Sequence, residues 1–303
     1  MTDKTKDARN KNIGFLLVLL TSVLYGVMPA LTQRAYASGV TVESVLTGRY
    51  LIGTTLIWMF ILLTKKPLRV GGKNFSLLMA VGVNVFFCVF CMTSSYRYLP
   101  GAITSLITFL YIVIVNVAEI LIGRERARAF RVVCLLLTIG GLILVVYTPT
   151  GENALNKTGI VLAMAAGIFY AIWAMSMGAK RFAPFSAEVT MGYMLIVPTV
   201  ANAVNCVLSG SPILPVTGEQ WLYVVLLGLS PGFIAPIAFC AAVKRIGAST
   251  ASMINTSEPV FAYFAGILLM GDRLSFNATL GGVLIVVGLL LLNVMERRKG
   301  SLD

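Results

Sequence analysis

Apolar runs, each about as long as a membrane-crossing helix, follow one another from Ile13 almost to the end of the chain. Short polar stretches separate them. A transmembrane helix needs about 20 mostly apolar residues. By that rule the pattern predicts ten spans, at about 13–32, 42–64, 75–96, 101–122, 130–148, 159–178, 187–208, 219–241, 248–270 and 277–295. The gaps are too short to hold a soluble domain. The first run follows the polar "MTDKTKDARNKN" as a signal peptide's apolar region would. It is too long for one, and no small-residue cleavage site follows, so it is expected to stay as span one.

Composition agrees. Of 303 residues, 58% are hydrophobic and 12% charged, whereas a soluble domain carries about 25% charge. The net charge of +12 is expected to reflect orientation in a bilayer rather than nucleic acid, because the basic residues sit in clusters between spans and not along one stripe. Histidine is absent, which removes the usual zinc ligand and the Ser/His and Cys/His catalytic pairs. Cys88, Cys91, Cys134, Cys206 and Cys240 all lie in apolar runs and are expected to be inert packing thiols.

The basic residues also set a direction. With the N-terminus inside, the inner loops and tails collect 19 Lys and Arg, and the outer loops four (Arg34, Arg97, Lys157, Arg273). The remaining one of the 24, Arg49, lies within span two. This bias predicts a multi-pass protein of the plasma membrane (the bacterial inner membrane) with both termini cytoplasmic.

The chain also repeats itself. "YLPGAITSLITFLYIV" (98–113) lies over "RIGASTASMINTSEPV" (245–260) without a gap, and the same offset pairs Gly141 with Gly288. "GFLLVLLTSVLYG" from Gly14 meets "GIVLAMAAGIFYA" from Gly159, pairing Tyr25 with Tyr170. The predicted division is a tail over 1–12, a five-span repeat over 13–150, a second over 151–295 and a tail over 296–303. Five is odd, so the second repeat enters the membrane from the opposite side. The predicted fold is thus an all-α membrane protein of ten helices in two inverted-topology five-helix repeats, a plan used by secondary transporters with a central site and alternating access.

On these features the chain resembles the EamA-type members of the drug/metabolite transporter superfamily. The matching pieces are "TGRYLIGTTLIW", "FLYIVIVNVAEILIGRER", "MINTSEPVFAYFAGILLMGDRLS" and "LGGVLIVVGLLL". The resemblance spans essentially the whole chain and implies a ten-span transporter of small solutes. One departure stands out. The family often has proline at the corresponding place in both the fourth and ninth spans. Here Pro259 keeps it and Ile112 replaces it in the first half, so the first half is expected to lack that kink.

Charge within the membrane costs several kcal/mol and usually lines a cavity. Arg49 lies roughly 12 Å into span two at 1.5 Å per residue. It is either an interfacial arginine that snorkels or a fixed positive charge facing a substrate anion or Glu258. The resemblance favours the second role, since family members also carry arginine at the start of span two. Glu119, near the inner end of span four, is expected to reach the surface and pair with a cytoplasmic arginine. Glu258 lies near the midplane of span nine, within "INTSEP". It is either ionised and paired, which suits an amine substrate, or carries a proton, which suits antiport; the remaining reading is a static structural hydrogen bond. Ala251, Asn255, Glu258 and Ala262 share one helix face. The repeat places Tyr111 opposite Glu258, with Thr104 and Thr108 on the preceding turns.

The predicted substrate-binding set is Tyr25, Arg49, Asn84, Tyr111, Tyr170, Trp173, Asn255 and Glu258, with Glu258 as the proton-coupling residue. Tyr193 is a further wall candidate. Pro231, Pro236 and Pro259 are predicted bending points. The expectation is a secondary transporter, an exporter of amino acids or related amphipathic solutes, and not an enzyme. Its expected partners are a small-molecule substrate, membrane lipid and a coupling proton, with no cofactor, metal or nucleic acid, in a monomer or a homodimer. The alternatives are a non-transporting membrane sensor or assembly component and a membrane-embedded lipid-modifying enzyme.

Overall fold

The computed structural model describes residues 3–122, 129–146, 156–177, 185–246, 251, 254–255, 257–272 and 276–300. The regular elements among them are all helical. The first three spans are α1 (Asp3–Ala37), α2 (Val42–Leu63) and α3 (Gly72–Ser95). Span four consists of α4 (Gly101–Thr108) and α5 (Leu110–Leu121). Spans five, six and seven are α6 (Ala129–Val146), α7 (Lys157–Met177) and α8 (Ala187–Leu208). Span eight is α9 (Gly218–Leu229), a π-helical turn (Ser230–Ile234) and α10 (Ala235–Ile246). Span nine contains α11 (Glu258–Ala265) and a π-helical stretch (Gly266–Met270), and span ten is α12 (Phe276–Gly300).

Seven of these spans are long and apolar enough to cross a bilayer, and Val132–Val145, Glu258–Met270 and Phe276–Leu291 add three shorter apolar stretches. Leu121, Leu208 and Leu268 are 80–81% exposed, a surface that requires lipid rather than water. Helix ends follow local chemistry. Thr41 caps α2 by accepting the Ser44 N–H at 3.2 Å, and Thr217 and Gln220 form a capping box on α9. Gly271, at φ 70°, ends span nine in the left-handed conformation that favours glycine.

The packing obeys a pseudo-twofold rule. α1 packs on spans eight and nine, and its repeat mate α7 packs on spans three and four. Spans two and seven pack on each other, as do spans five and ten, and in both cases the partners are repeat mates. Individual contacts obey the same rule. A Cβ on Gly14 would lie 2.6 Å from Ile246, and one on Gly159 would lie 2.6 Å from Leu99; Gly159 is the mate of Gly14, and Leu99 of Ile246. Gly82 meets Val197 as Gly228 meets Ile52. Gly141 meets the Gly281 carbonyl as Gly288 meets that of Cys134. Small residues at these crossings let the backbones approach closely.

The expectation for span four needs correction. Although Ile112 replaces proline, the span is interrupted at Phe109, between α4 and α5. In span nine α11 begins at Glu258 after a turn at Ser257, so the two halves break at corresponding places. Two features mark the first-half break. The Thr108 hydroxyl donates to the Thr104 carbonyl at 2.8 Å, a back-bond that bends helices. The Ile112 N–H reaches back three residues to the Phe109 carbonyl at 3.0 Å. Pro259 sits in the first turn of α11, where its missing N–H leaves no helical partner wanting.

Candidate functional site

The two interrupted spans border one cavity of about 210 Å³. Its lining includes Tyr25, Arg49, Tyr111, Tyr170, Trp173, Asn255 and Glu258. Seven of the eight predicted binding residues are thus brought together, from spans one, two, four, six and nine. Asn84 is not among the lining residues. Its amide donates to the Phe169 carbonyl at 2.8 Å and ties α3 to α7. Tyr193 also lies elsewhere, donating to the Leu68 carbonyl at 2.9 Å. Of the predicted bending points, Pro231 and Pro236 line the cavity. Pro259 is buried in α11 and does not.

Glu258 stands at the first residue of α11, where the chain restarts its helix. The Asn255 amide nitrogen donates to Glu258 Oε2 at 3.4 Å. The Ser22 hydroxyl in turn donates to Asn255 Oδ1 at 3.2 Å. Span one can approach this closely because it carries glycine at the crossing. A Cβ on Gly26 would lie 2.5 Å from Phe261 Cβ and 2.9 Å from the Glu258 carbonyl oxygen.

Opposite Glu258 is an aromatic wall. Tyr111 and Tyr170 have ring centroids 4.3 Å apart, Tyr170 and Trp173 5.1 Å, and Phe109 and Tyr111 5.9 Å. The Trp173 indole N–H donates to Met194 Sδ at 3.2 Å. Met28, Met92, Met191 and Met194 line the rest; these flexible thioethers adapt to irregular apolar shapes.

Arg49 comes from α2, beside the place where spans two and eight meet at backbone distance. A Cβ on Gly53 would lie 3.0 Å from the Gly232 carbonyl oxygen, in the π-helical turn of span eight. The Arg49 guanidinium is 5.8 Å from the centroid of the Tyr50 ring. Among the described residues no ion pair joins Arg49 to Glu258, so the cavity keeps the guanidinium and the carboxyl group apart. Tyr96 shares a hydrogen bond with Ser105.

Tyr96 and Ser105 both line the cavity, and the hydropathy pattern did not single them out. Tyr96 closes span three, where an aromatic reads as an interfacial anchor. Ser22 is fully buried and was equally silent. Of the cysteines, Cys88 lines the cavity and its thiol donates to the Ala166 carbonyl at 3.5 Å. Cys88, Cys91, Cys134 and Cys206 are free thiols, and the Cys240 side chain lies outside the description. So do Arg124 and Arg126, the expected partners of Glu119.

One end of the bundle is laced by cross-span hydrogen bonds. Gln33 donates to the carbonyls of Tyr96 and Leu99, at 3.2 and 3.0 Å. Arg34 Nε donates to the Leu269 carbonyl at 2.9 Å, and Tyr36 to that of Thr93 at 2.8 Å. Gln220 donates to the Ser38 carbonyl at 2.9 Å. This is the end that the basic residues predict to be outside.

Comparison with known proteins fits this arrangement. The EamA-like transporter family matches over residues 12–147 and again over 157–294. The inner membrane transporter YicL of Salmonella typhimurium is 25% identical over 94% of this chain and 97% of its own. The aromatic amino acid exporter YddG of Ancylobacter novellus is 24% identical over 68% of this chain and 71% of its own. A crystal structure with 21% identity superposes with a TM-score of 0.67, covering 96% of this chain and 97% of its own, and shares the fold. Matched in both halves, this multi-pass membrane protein belongs to the EamA-like transporter family.

Proposed function

We propose that the protein exports amino acids or closely related amphipathic solutes by alternating access, in exchange for protons carried on Glu258. The observation that carries this reading is the pairing of Arg49 and Glu258 in one cavity, unjoined to each other, with an aromatic and methionine wall beside them. A guanidinium suits a carboxylate, a carboxylate suits an ammonium, and the wall suits an apolar side chain. The proton and the ammonium compete for Glu258, so each leaves when the other arrives. That competition couples solute exit to proton entry. The similarity to an aromatic amino acid exporter points to the same solute class.

In this reading both termini face the cytoplasm of a bacterial inner membrane, and the laced end of the bundle is the closed outer gate. The solute enters from the inside, and breaking the Gln33 and Arg34 ties releases it. Each five-span repeat acts as a unit, and the functional protein is a monomer or a homodimer in lipid. No cofactor takes part. The test is counterflow. Proteoliposomes loaded with unlabelled tryptophan, phenylalanine or methionine should accumulate the labelled solute, and reversing an imposed pH gradient should reverse the net flux. Absence of counterflow for every proteinogenic amino acid overturns the solute class. Net flux insensitive to the pH gradient overturns the proton.

A further inference from the structure

The Ser22 contact has no counterpart in the other half of the molecule. Spans one and nine cross at the same place as their mates, spans six and four. The mate of Ser22 is Gly167, and the mate of Asn255 is Thr108. There the crossing is made by backbone: a Cβ on Gly167 would lie 3.1 Å from the Thr108 carbonyl oxygen. At this place in the first half span six therefore offers no hydroxyl to span four, and the Thr108 hydroxyl turns back to the Thr104 carbonyl. In the second half a hydroxyl is present, fully buried, and donates across the crossing to Asn255 Oδ1. Glu258 likewise occurs in that half alone, its mate being Tyr111.

We propose that Ser22 is a positioning residue for Glu258, acting through Asn255. An amide has an accepting oxygen and a donating nitrogen. With the oxygen held by the Ser22 hydroxyl, the nitrogen is left to face the carboxylate, and it donates to Glu258 Oε2. If the amide turned over, its oxygen would meet the carboxylate oxygen and both would repel. Ser22 thus anchors Asn255 from span one while the amide nitrogen is held at Glu258. A donor held against a carboxylate favours its ionised form, the form that has given up its proton and can accept an ammonium. Other charged and titratable groups line the same cavity: Tyr25 on span one, Arg49 on span two, Cys88 and Tyr96 on span three, Tyr111 on span four and Tyr170 on span six. Among the described residues, the hydrogen bonds that hold the Asn255 side chain run to Ser22 and Glu258.

This proposal rests on Glu258 being the titrating group of the proposed function, and it can be tested without any solute. Infrared difference spectra of the purified full-length protein in lipid, recorded against pH, should contain a protonated-carboxyl band that Glu258→Gln removes. In Ser22→Ala the midpoint of that band should move to higher pH by about one unit, the scale of one hydrogen bond to a charged group. Asn255→Ala should produce the same shift, and Ser22→Ala/Asn255→Ala no more than either alone. Ser22→Thr, which keeps the hydroxyl, should restore the midpoint. If Ser22→Ala does not fold, Ser22→Gly takes its place, since the mate crossing already packs with glycine. An unmoved midpoint, or single shifts that add in the double variant, overturns the role of Ser22 and leaves proton coupling standing. Absence of any band removed by Glu258→Gln overturns both.

Discussion

Tyr111 and Tyr170 meet across spans four and six with ring centroids 4.3 Å apart, and Tyr111 holds the repeat position that Glu258 holds in span nine. Two copies of one helix pair therefore give the cavity unlike sides. One copy supplies a tilted aromatic pair and the other an acid reached by a buried hydroxyl and an amide. A solute with one apolar and one charged side is matched by that difference.

Glu258→Gln should abolish flux driven by a pH gradient while leaving the protein folded. The two side chains have nearly the same shape, and glutamine still accepts from Asn255. Proteoliposome flux and a thermal unfolding midpoint within a few degrees of the parent check this; retained pH-driven flux would place the proton elsewhere.

Arg49→Ala should weaken solutes that carry a carboxylate by about 10- to 100-fold, corresponding to about 1.5–3 kcal/mol for a hydrogen bond to a charged group. Amines without a carboxylate should lose much less. Binding measured by competition across such a pair of solutes distinguishes this from a packing role, for which both would fall together.

Gly26→Val should separate spans one and nine. Its Cβ alone would lie 2.9 Å from the Glu258 carbonyl oxygen. Overpacking of this kind costs about 1–3 kcal/mol, seen as a lower unfolding midpoint, and it should reduce transport further by displacing Glu258.

Ile112→Pro should be tolerated. In an uninterrupted helix interior proline costs about 3 kcal/mol. At Ile112 the helix is already broken, and the change removes the single bond to the Phe109 carbonyl, about 1 kcal/mol. Unfolding of this variant beside Val85→Pro, inside the continuous α3, should show the difference.

Gln33→Ala should loosen the laced end. It removes two hydrogen bonds, each worth about 1 kcal/mol, and should raise the labelling rate of Cys88 by a charged maleimide applied from that side by about tenfold. The other cysteines are replaced by serine or alanine for this measurement.

The spans and the repeat were legible because each follows from a local rule. Lipid demands apolar length, and close crossings demand small residues, so Gly14 and Gly159 or Gly141 and Gly288 could be matched by eye. The cavity was legible where charge or aromatic polarity stood out at depth, as at Arg49, Tyr111 and Glu258. Asn84 shows the limit: an amide in a span satisfies a neighbouring backbone as readily as it faces a cavity. The break at Phe109 was hidden because no proline marks it; a threonine back-bond and a short N–H to carbonyl reach stand at it instead. Ser22 was hidden because a hydroxyl in a helix usually bonds to its own preceding turn, and only the approach of span nine gives it another partner.

The seam between spans five and ten has two sides that are copies of each other, with Gly141 against Gly281 and Gly288 against Cys134. A five-span chain inserted in both orientations could build such a seam from two separate molecules. Joining the halves covalently is therefore not what creates it. What the joining permits is divergence. Two separate identical chains would have to place the same residue on both sides of the cavity, whereas a single chain can keep tyrosine at 111 and glutamate at 258.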